Sequence, residues 1–205
     1  MLNIYDAIAS IVMSINKEGI SLNYLWGSAR EVQQTLIEWS KDPVMKSQKY
    51  PCLILFTPVK VPREQGNNDP ANVTPEIVIV TDTKKNYKSS ERKQFIYEPI
   101  LWPIYDRFMY YVKLSEYFNN NSSGRIPHTT VDRFYYSPTP AHEQNVFSAV
   151  LDAVEISDLE LILKELTTES CYMDIVEKYV YRVTLDGGAV EAVDCIYTVI
   201  NKLKE

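Results

Sequence analysis

The chain has 205 residues, a formal net charge of −6, 45% hydrophobic and 23% charged residues, the balance of a folded domain able to bury a sizeable core. No apolar run approaches the roughly 20 residues of a membrane-spanning helix, and the acidic balance argues against a surface built to grip nucleic acid phosphates. Cys52, Cys171 and Cys195 are odd in number and lie in apolar surroundings, which predicts buried, reduced thiols over a disulfide framework.

The first segment, MLNIYDAIASIVMSINKEG, carries Asp6 early, lacks a basic leader and places Ile4, Ile8, Ile11, Val12 and Ile15 on one helical face. It predicts a structural helix and no signal peptide. Without secretion, the triplets Asn72-Val73-Thr74 and Asn121-Ser122-Ser123 read as loop markers. In SAREVQQTLIEWSKDP, Ala29, Val32, Leu36 and Trp39 recur by threes and fours, with Ser28 as N-cap and Pro43 just past the end, a second amphipathic helix.

Next comes KYPCLILFTP, in which Cys52 to Phe56 form an unbroken apolar run bounded by Pro51 and Pro58. That is the pattern of a strand covered on both faces. Residues 57–76 hold four prolines and the turn-prone Gly66-Asn67-Asn68-Asp69, too long for a simple connection inside a compact domain. Glu76 to Thr83 is β-branched and alternating, so it predicts a strand returning beside the first, with residues 57–76 as the arm of a long hairpin. Lys84, Lys85, Lys88, Arg92 and Lys93 then make a local basic patch.

In EPILWPIYDRFMYYVKLSEYF, Ile104, Phe108, Tyr111, Ser115 and Phe118 fall at helical spacing. Pro103 lacks the N–H that a helix begun at Pro99 would require there, so the regular helix is predicted to start at Pro103, as N1. A polar loop from Asn119 to about Asn145 carries the exposed-looking aromatics Phe134, Tyr135 and Tyr136 and a short strand around Thr130 to Tyr136. Val146 to Leu163 reads as strand, broken by Ser157-Asp158 into two strands or one bent strand. Past residue 166, the segment MDIVEKYVYRVTL is ambiguous between helix and strand. After Asp186-Gly187-Gly188, Val190, Val193, Ile196 or Tyr197, Ile200 and Leu203 mark a C-terminal helix. The fold class is α+β: a small mixed or antiparallel sheet with amphipathic helices packed on it in residues 1–166, and a C-terminal helical appendage in 167–205.

Catalytic equipment is sparse. Cys52 sits in an apolar run far in sequence from the two histidines, His128 and His142, whereas a nucleophilic thiol needs a base and electropositive surroundings. Trp26-Gly27-Ser28 leads into a helix as a cap, with no G-x-S-x-G elbow. The Cys and His residues lack zinc spacing, and Glu160, Glu165, Glu169, Asp174 and Glu177 read as solvated carboxylates. The six glycines form no Walker or dinucleotide fingerprint. Fifteen tyrosines, several in or near loops, divide between core edges and protein interfaces.

The pieces LWGSAREVQQTLIEW, KYPCLILF, EIVIVTDTKKNYKSSERKQFIYEPILWPIYDRFMYY and NVFSAVLDAVEISDLELIL, in that order, resemble the neck or tail-completion proteins of tailed bacteriophages, also described as tail-terminator-like. The resemblance covers roughly residues 1–166 and leaves 167–205 outside. It implies a virion structural protein of the neck or tail, made in the host cytoplasm and carrying no cofactor, metal or catalytic residue. Such a subunit joins a ring of its own copies between the capsid portal and the tail, with portal, connector or tail proteins as neighbours. It makes no specific nucleic acid contact beyond passive lining of a DNA conduit, for which an acidic balance is apt. Head-to-tail closure would use the arm and the aromatic loop, through Val61, Pro62, Arg63, Asn67, Asp69, Arg125, Phe134, Tyr135 and Tyr136. Two rivals make different predictions: a small intracellular enzyme with His128 or His142 as acid–base in a deep pocket, and a monomeric adaptor with one exposed apolar patch.

Overall fold

In the computed structural model, which describes residues 4–60, 72–119, 125–135 and 150–163, the first predicted helix is α1 (Ile4–Lys17). It buries Ile4, Ala7, Ile8, Ile11, Val12 and Ile15 at intervals of three and four. Gly19 follows with φ at 89°, a left-handed backbone that glycine adopts without Cβ strain. The Asn16 side chain then clamps the reversal, its amide donating to Leu22 O at 3.0 Å and its oxygen accepting from Leu22 N at 2.8 Å.

Strand β1 (Asn23–Gly27) enters α2 (Ala29–Lys41) through a full capping box. Glu31 N donates to Ser28 Oγ at 3.3 Å and Ser28 N donates back to Glu31 Oε2 at 2.7 Å, pairing two N–H groups that the helix leaves open. A Cβ at residue 27 would lie 3.1 Å from that carboxylate on a backbone with φ of +150°, which ties Gly27 to the cap. Pro43 does not simply terminate α2. It is the first residue of a further helix, α3 (Pro43–Gln48), capped by Asp42, whose carboxylate accepts from Val44 N at 2.8 Å. Asp followed by Pro is itself a helix-start signal.

Strands β2 (Cys52–Lys60) and β3 (Asn72–Asp82) pair antiparallel from Cys52–Val80 out to Lys60–Thr74. The hairpin prediction therefore holds, but its strands run further than expected. Residues 57–60 and 72–76 belong to the two strands, Asn72-Val73-Thr74 is strand and not loop, and the connection is residues 61–71, outside the described part. Pro58 lies within β2 where pairing is irregular between Phe56 and Lys60, a place where its missing N–H is tolerated.

The long helix departs most from expectation. α4 (Ser89–Arg92) passes into a nine-residue π-helical segment, Lys93–Leu101, and then into α5 (Trp102–Leu114), so the regular α-helix starts within one residue of the predicted Pro103, while unpredicted helical turns precede it from Ser89. Pro99 lies inside the π segment, and the N–H of Trp102 bonds five residues back, to Tyr97 O. The wider turn shifts the donor–acceptor register that Pro99 and Pro103 would break in an α-helix.

β4 (Thr129–Tyr135), β5 (Leu151–Ser157) and β6 (Leu161–Ile162) complete one sheet, ordered β1-β2-β3-β5-β4 with β6 on β3. β1 runs parallel to β2, and the other pairs are antiparallel. The predicted break falls at Asp158, with φ of 54°. Both faces of the central strands are covered. Leu53, Leu55, Ile77, Ile79, Val154 and Ile156 join α1, the π segment and α5 in the larger core, while Cys52, Ile54, Val78, Val80, Leu151 and Ala153 join Val32 and Leu36 of α2. Strands buried on both sides read as unbroken apolar runs, as Cys52 to Phe56 does; Glu76 to Thr83 reads as alternating, yet Ile77 to Thr81 are buried at every position. The predicted C-terminal helix, the segment MDIVEKYVYRVTL and residues 167–205 lie outside the described residues.

Candidate functional site

β4 ends the sheet. Among the described residues it pairs with β5 alone, over all seven positions, and Thr129 through Phe134 are exposed. Such an edge keeps main-chain N–H and C=O groups turned outward.

Its position is fixed from the helical side by three residues spaced five apart. Arg92 Nη1 lies 2.9 Å from Asp152 Oδ1, its guanidinium carbon 3.2 Å from the centre of the Phe134 ring, and its Nε donates to Tyr87 O at 3.1 Å. The Tyr97 hydroxyl donates to Arg133 O at 2.9 Å, and Trp102 Nε1 lies 3.5 Å from Asp132 Oδ1. Phe134, Arg133 and Asp132 are consecutive, so each step of five along the helix meets the next residue of β4. A four-residue period would rotate the row off the strand; the π register keeps it there. Asp152 is fully buried, and Arg92 offsets the cost of burying its charge. Burial pushes the Tyr97 hydroxyl pKa upward, with the Asp152 charge adding to it, so the tyrosine stays a proton donor.

On the opposite face, Arg133 Nε lies 2.6 Å from Glu155 Oε2, and the Tyr135 hydroxyl donates to Glu155 Oε1. Alternation along β4 turns Tyr135 toward the α2 side, where it is half-buried against the second core cluster. It is therefore not the exposed aromatic that the loop reading implied, and the Phe134 ring is covered in part by Arg92. Arg125 is exposed but lies elsewhere, at the groove described next. The structure thus gives Arg125, Phe134 and Tyr135 separate environments, while Val61, Pro62, Arg63, Asn67, Asp69 and Tyr136 lie outside the described residues. The Arg92–Tyr97–Trp102 row was missed. Its readable signals were the five-residue spacing around Pro99 and one carboxylate, Asp152, in an otherwise apolar stretch.

A surface groove of about 580 Å³ lies between α5 and residues 125–128, lined by Tyr105, Asp106, Met109, Lys113, Arg125 and His128 among others. His128 Nδ1 is 2.7 Å from Ile126 O, which only accepts, so this nitrogen carries the proton; Nε2, 2.6 Å from Tyr105 Oη, accepts from the phenol in the neutral ring. Both ring nitrogens are engaged inside the fold, and His128 brackets the segment to α5. An acid–base histidine would need one of them turned to a substrate. His142 lies outside the described residues. Cys52 is fully buried beneath α2, and burial pushes its thiol pKa up, against the thiolate that nucleophilic chemistry requires. Among the described residues no three His, Cys, Asp or Glu side chains converge as metal ligands, and no helix is long and apolar enough to cross a membrane.

No protein-family model matches this chain, and comparisons with curated proteins and with solved structures find no match.

Proposed function

We propose that this chain is a structural subunit of a tailed-bacteriophage virion, a ring-forming component of the head-to-tail joint that works through contact and carries out no chemical step. The sequence resemblance directs the reading to that joint. The observation that supports an assembly role is the exposed β4 edge, which the Arg92–Tyr97–Trp102 row holds in one position. Edge strands accept a partner strand through main-chain hydrogen bonds, and Asp132 and Arg133 on this one guard against indiscriminate pairing.

Ring closure needs a second, different surface. The hairpin connection, with Val61, Pro62, Arg63, Asn67 and Asp69, suits that part because its stem is paired out to Lys60–Thr74 and its β3 side also holds β6. Sister copies and the neighbouring portal, connector or tail proteins are the partners in this account. Native mass spectrometry with negative-stain imaging, on the chain alone and mixed with portal and tail proteins, tests it. Rings of defined copy number are expected in at least one condition, and replacing residues 61–71 with a short Asn-Gly turn should abolish them. A monomer in every mixture contradicts the proposal.

A further inference from the structure

The turn that links β3 to α4 carries a second surface, chemically unlike β4. Tyr87 N donates to Lys84 O at 3.2 Å, closing a turn over Lys84-Lys85-Asn86-Tyr87. Arg92, which the sequence groups with the basic patch, does not belong to its surface; it is spent on Asp152 and on Tyr87 O, and thereby fastens the turn to the core. Lys84, Lys85, Lys88 and Lys93 are exposed, and the same stretch of chain carries an aromatic ledge. The Tyr87 and Phe95 rings lie 5.8 Å apart at 37°, the Lys84 ammonium sits 5.3 Å from the Tyr87 ring centre, and Phe95 is 48% exposed. Among the described residues Glu98 lies within ion-pair distance of Lys93, at 3.8 Å with both side chains more than half exposed, a weak contact in water.

An exposed phenylalanine commonly marks a protein interface, but the centres of such interfaces are depleted in lysine. Four exposed lysines on the stretch that carries the ledge suit a partner that brings both negative charge and flat π surfaces. Unpaired nucleic acid does both: phosphates meet the ammonium groups, and a base stacks on the ring without regard to sequence. A duplex hides its base faces and would leave Phe95 unused.

We propose that Lys84, Lys85, Lys88, Lys93 and Phe95 form a docking surface for single-stranded nucleic acid, bound without sequence preference. It operates on one copy of the chain and is independent of ring assembly.

Fluorescence anisotropy of labelled oligothymidylate, titrated with the full chain over a series of salt concentrations, tests this. Binding at low salt is expected. Phe95→Ala should weaken it about tenfold with the salt dependence unchanged, and Phe95→Tyr should restore it. Replacing Lys84, Lys85 and Lys88 together with Gln should lower the slope of log affinity against log salt by about 2. The proposal is overturned if the oligonucleotide does not bind, if Phe95→Ala binds as the parent does, if a blunt duplex of equal length binds as tightly, or if polyglutamate competes as well as unlabelled oligothymidylate.

Discussion

The two edge strands of the sheet are secured by different forces. β1 is half-buried: Tyr24 packs against the larger core and Leu25 against the smaller. Even its exposed Trp26 stacks on Tyr5 with ring centres 4.6 Å apart. β4 is exposed from Thr129 to Phe134 and is positioned by its ladder with β5 and by directional contacts from Arg92, Tyr97 and Trp102. Apolar burial is non-directional and tolerates small displacements, whereas a hydrogen-bonded row depends on helical register. An edge left open to solvent needs an internal fixture, and the π segment provides one.

The largest expected effect comes from breaking that fixture. Arg92→Ala leaves the Asp152 carboxylate buried without its cation and should cost about 3–5 kcal/mol in urea unfolding. Adding Asp152→Asn should recover part of it. A loss below about 1 kcal/mol for Arg92→Ala would mean that the pair is effectively solvated.

Tyr97→Phe removes the proton donated to Arg133 O and should cost about 1–2 kcal/mol, with faster amide exchange in β4. Tyr24→Phe, which loses a bond of 3.1 Å to Tyr5 O at the other end of the sheet, sharpens the contrast. Its cost should be about 1 kcal/mol, with β4 exchange unchanged. Equal acceleration of β4 by both variants would erase the distinction between the edges.

Ser28→Ala, which removes the cap joining β1 to α2, should cost about 1 kcal/mol. The smallest effect is its pH counterpart. Hydrogen bonds from Ser28 lower the Glu31 pKa below its ordinary 4.5. A depressed carboxyl stabilises the fold above its unfolded pKa, and that contribution fades as pH falls through the folded value. Glu31→Gln should flatten this acid limb in unfolding measured from pH 6 downward, and an unchanged limb would remove Glu31 as its source.

Much of the fold was legible because two patterns are simple. Ile4 to Ile15 and Ala29 to Trp39 follow helical spacing, and the apolar run from Cys52 is a strand with both faces covered; the β-branched residues after Glu76 signal a strand but not its burial on both faces. β1 escaped notice because Asn23–Gly27 is short, mixed in polarity and next to a strong cap signal. Pro103 locates the start of the regular helix α5 to within one residue, but the turns from Ser89 to Leu101 are not legible by α-helical rules, because the π segment bonds across five residues. Ile96 and Leu101, both buried and five apart, carried that signal. The short strand around Thr130 to Tyr136 is legible and is β4, Thr129–Tyr135, but Tyr135 turns inward because strand alternation decides its face. Composition cannot.

Hydrogen exchange followed by mass spectrometry, comparing the dilute chain with the chain assembled alongside portal and tail proteins, tests the central claim most directly. The account predicts that peptides covering residues 129–133 and 61–71 exchange more slowly on assembly while β1, Asn23–Gly27, is unchanged. Slowing confined to β1, with β4 exchanging equally fast in both states, would contradict it.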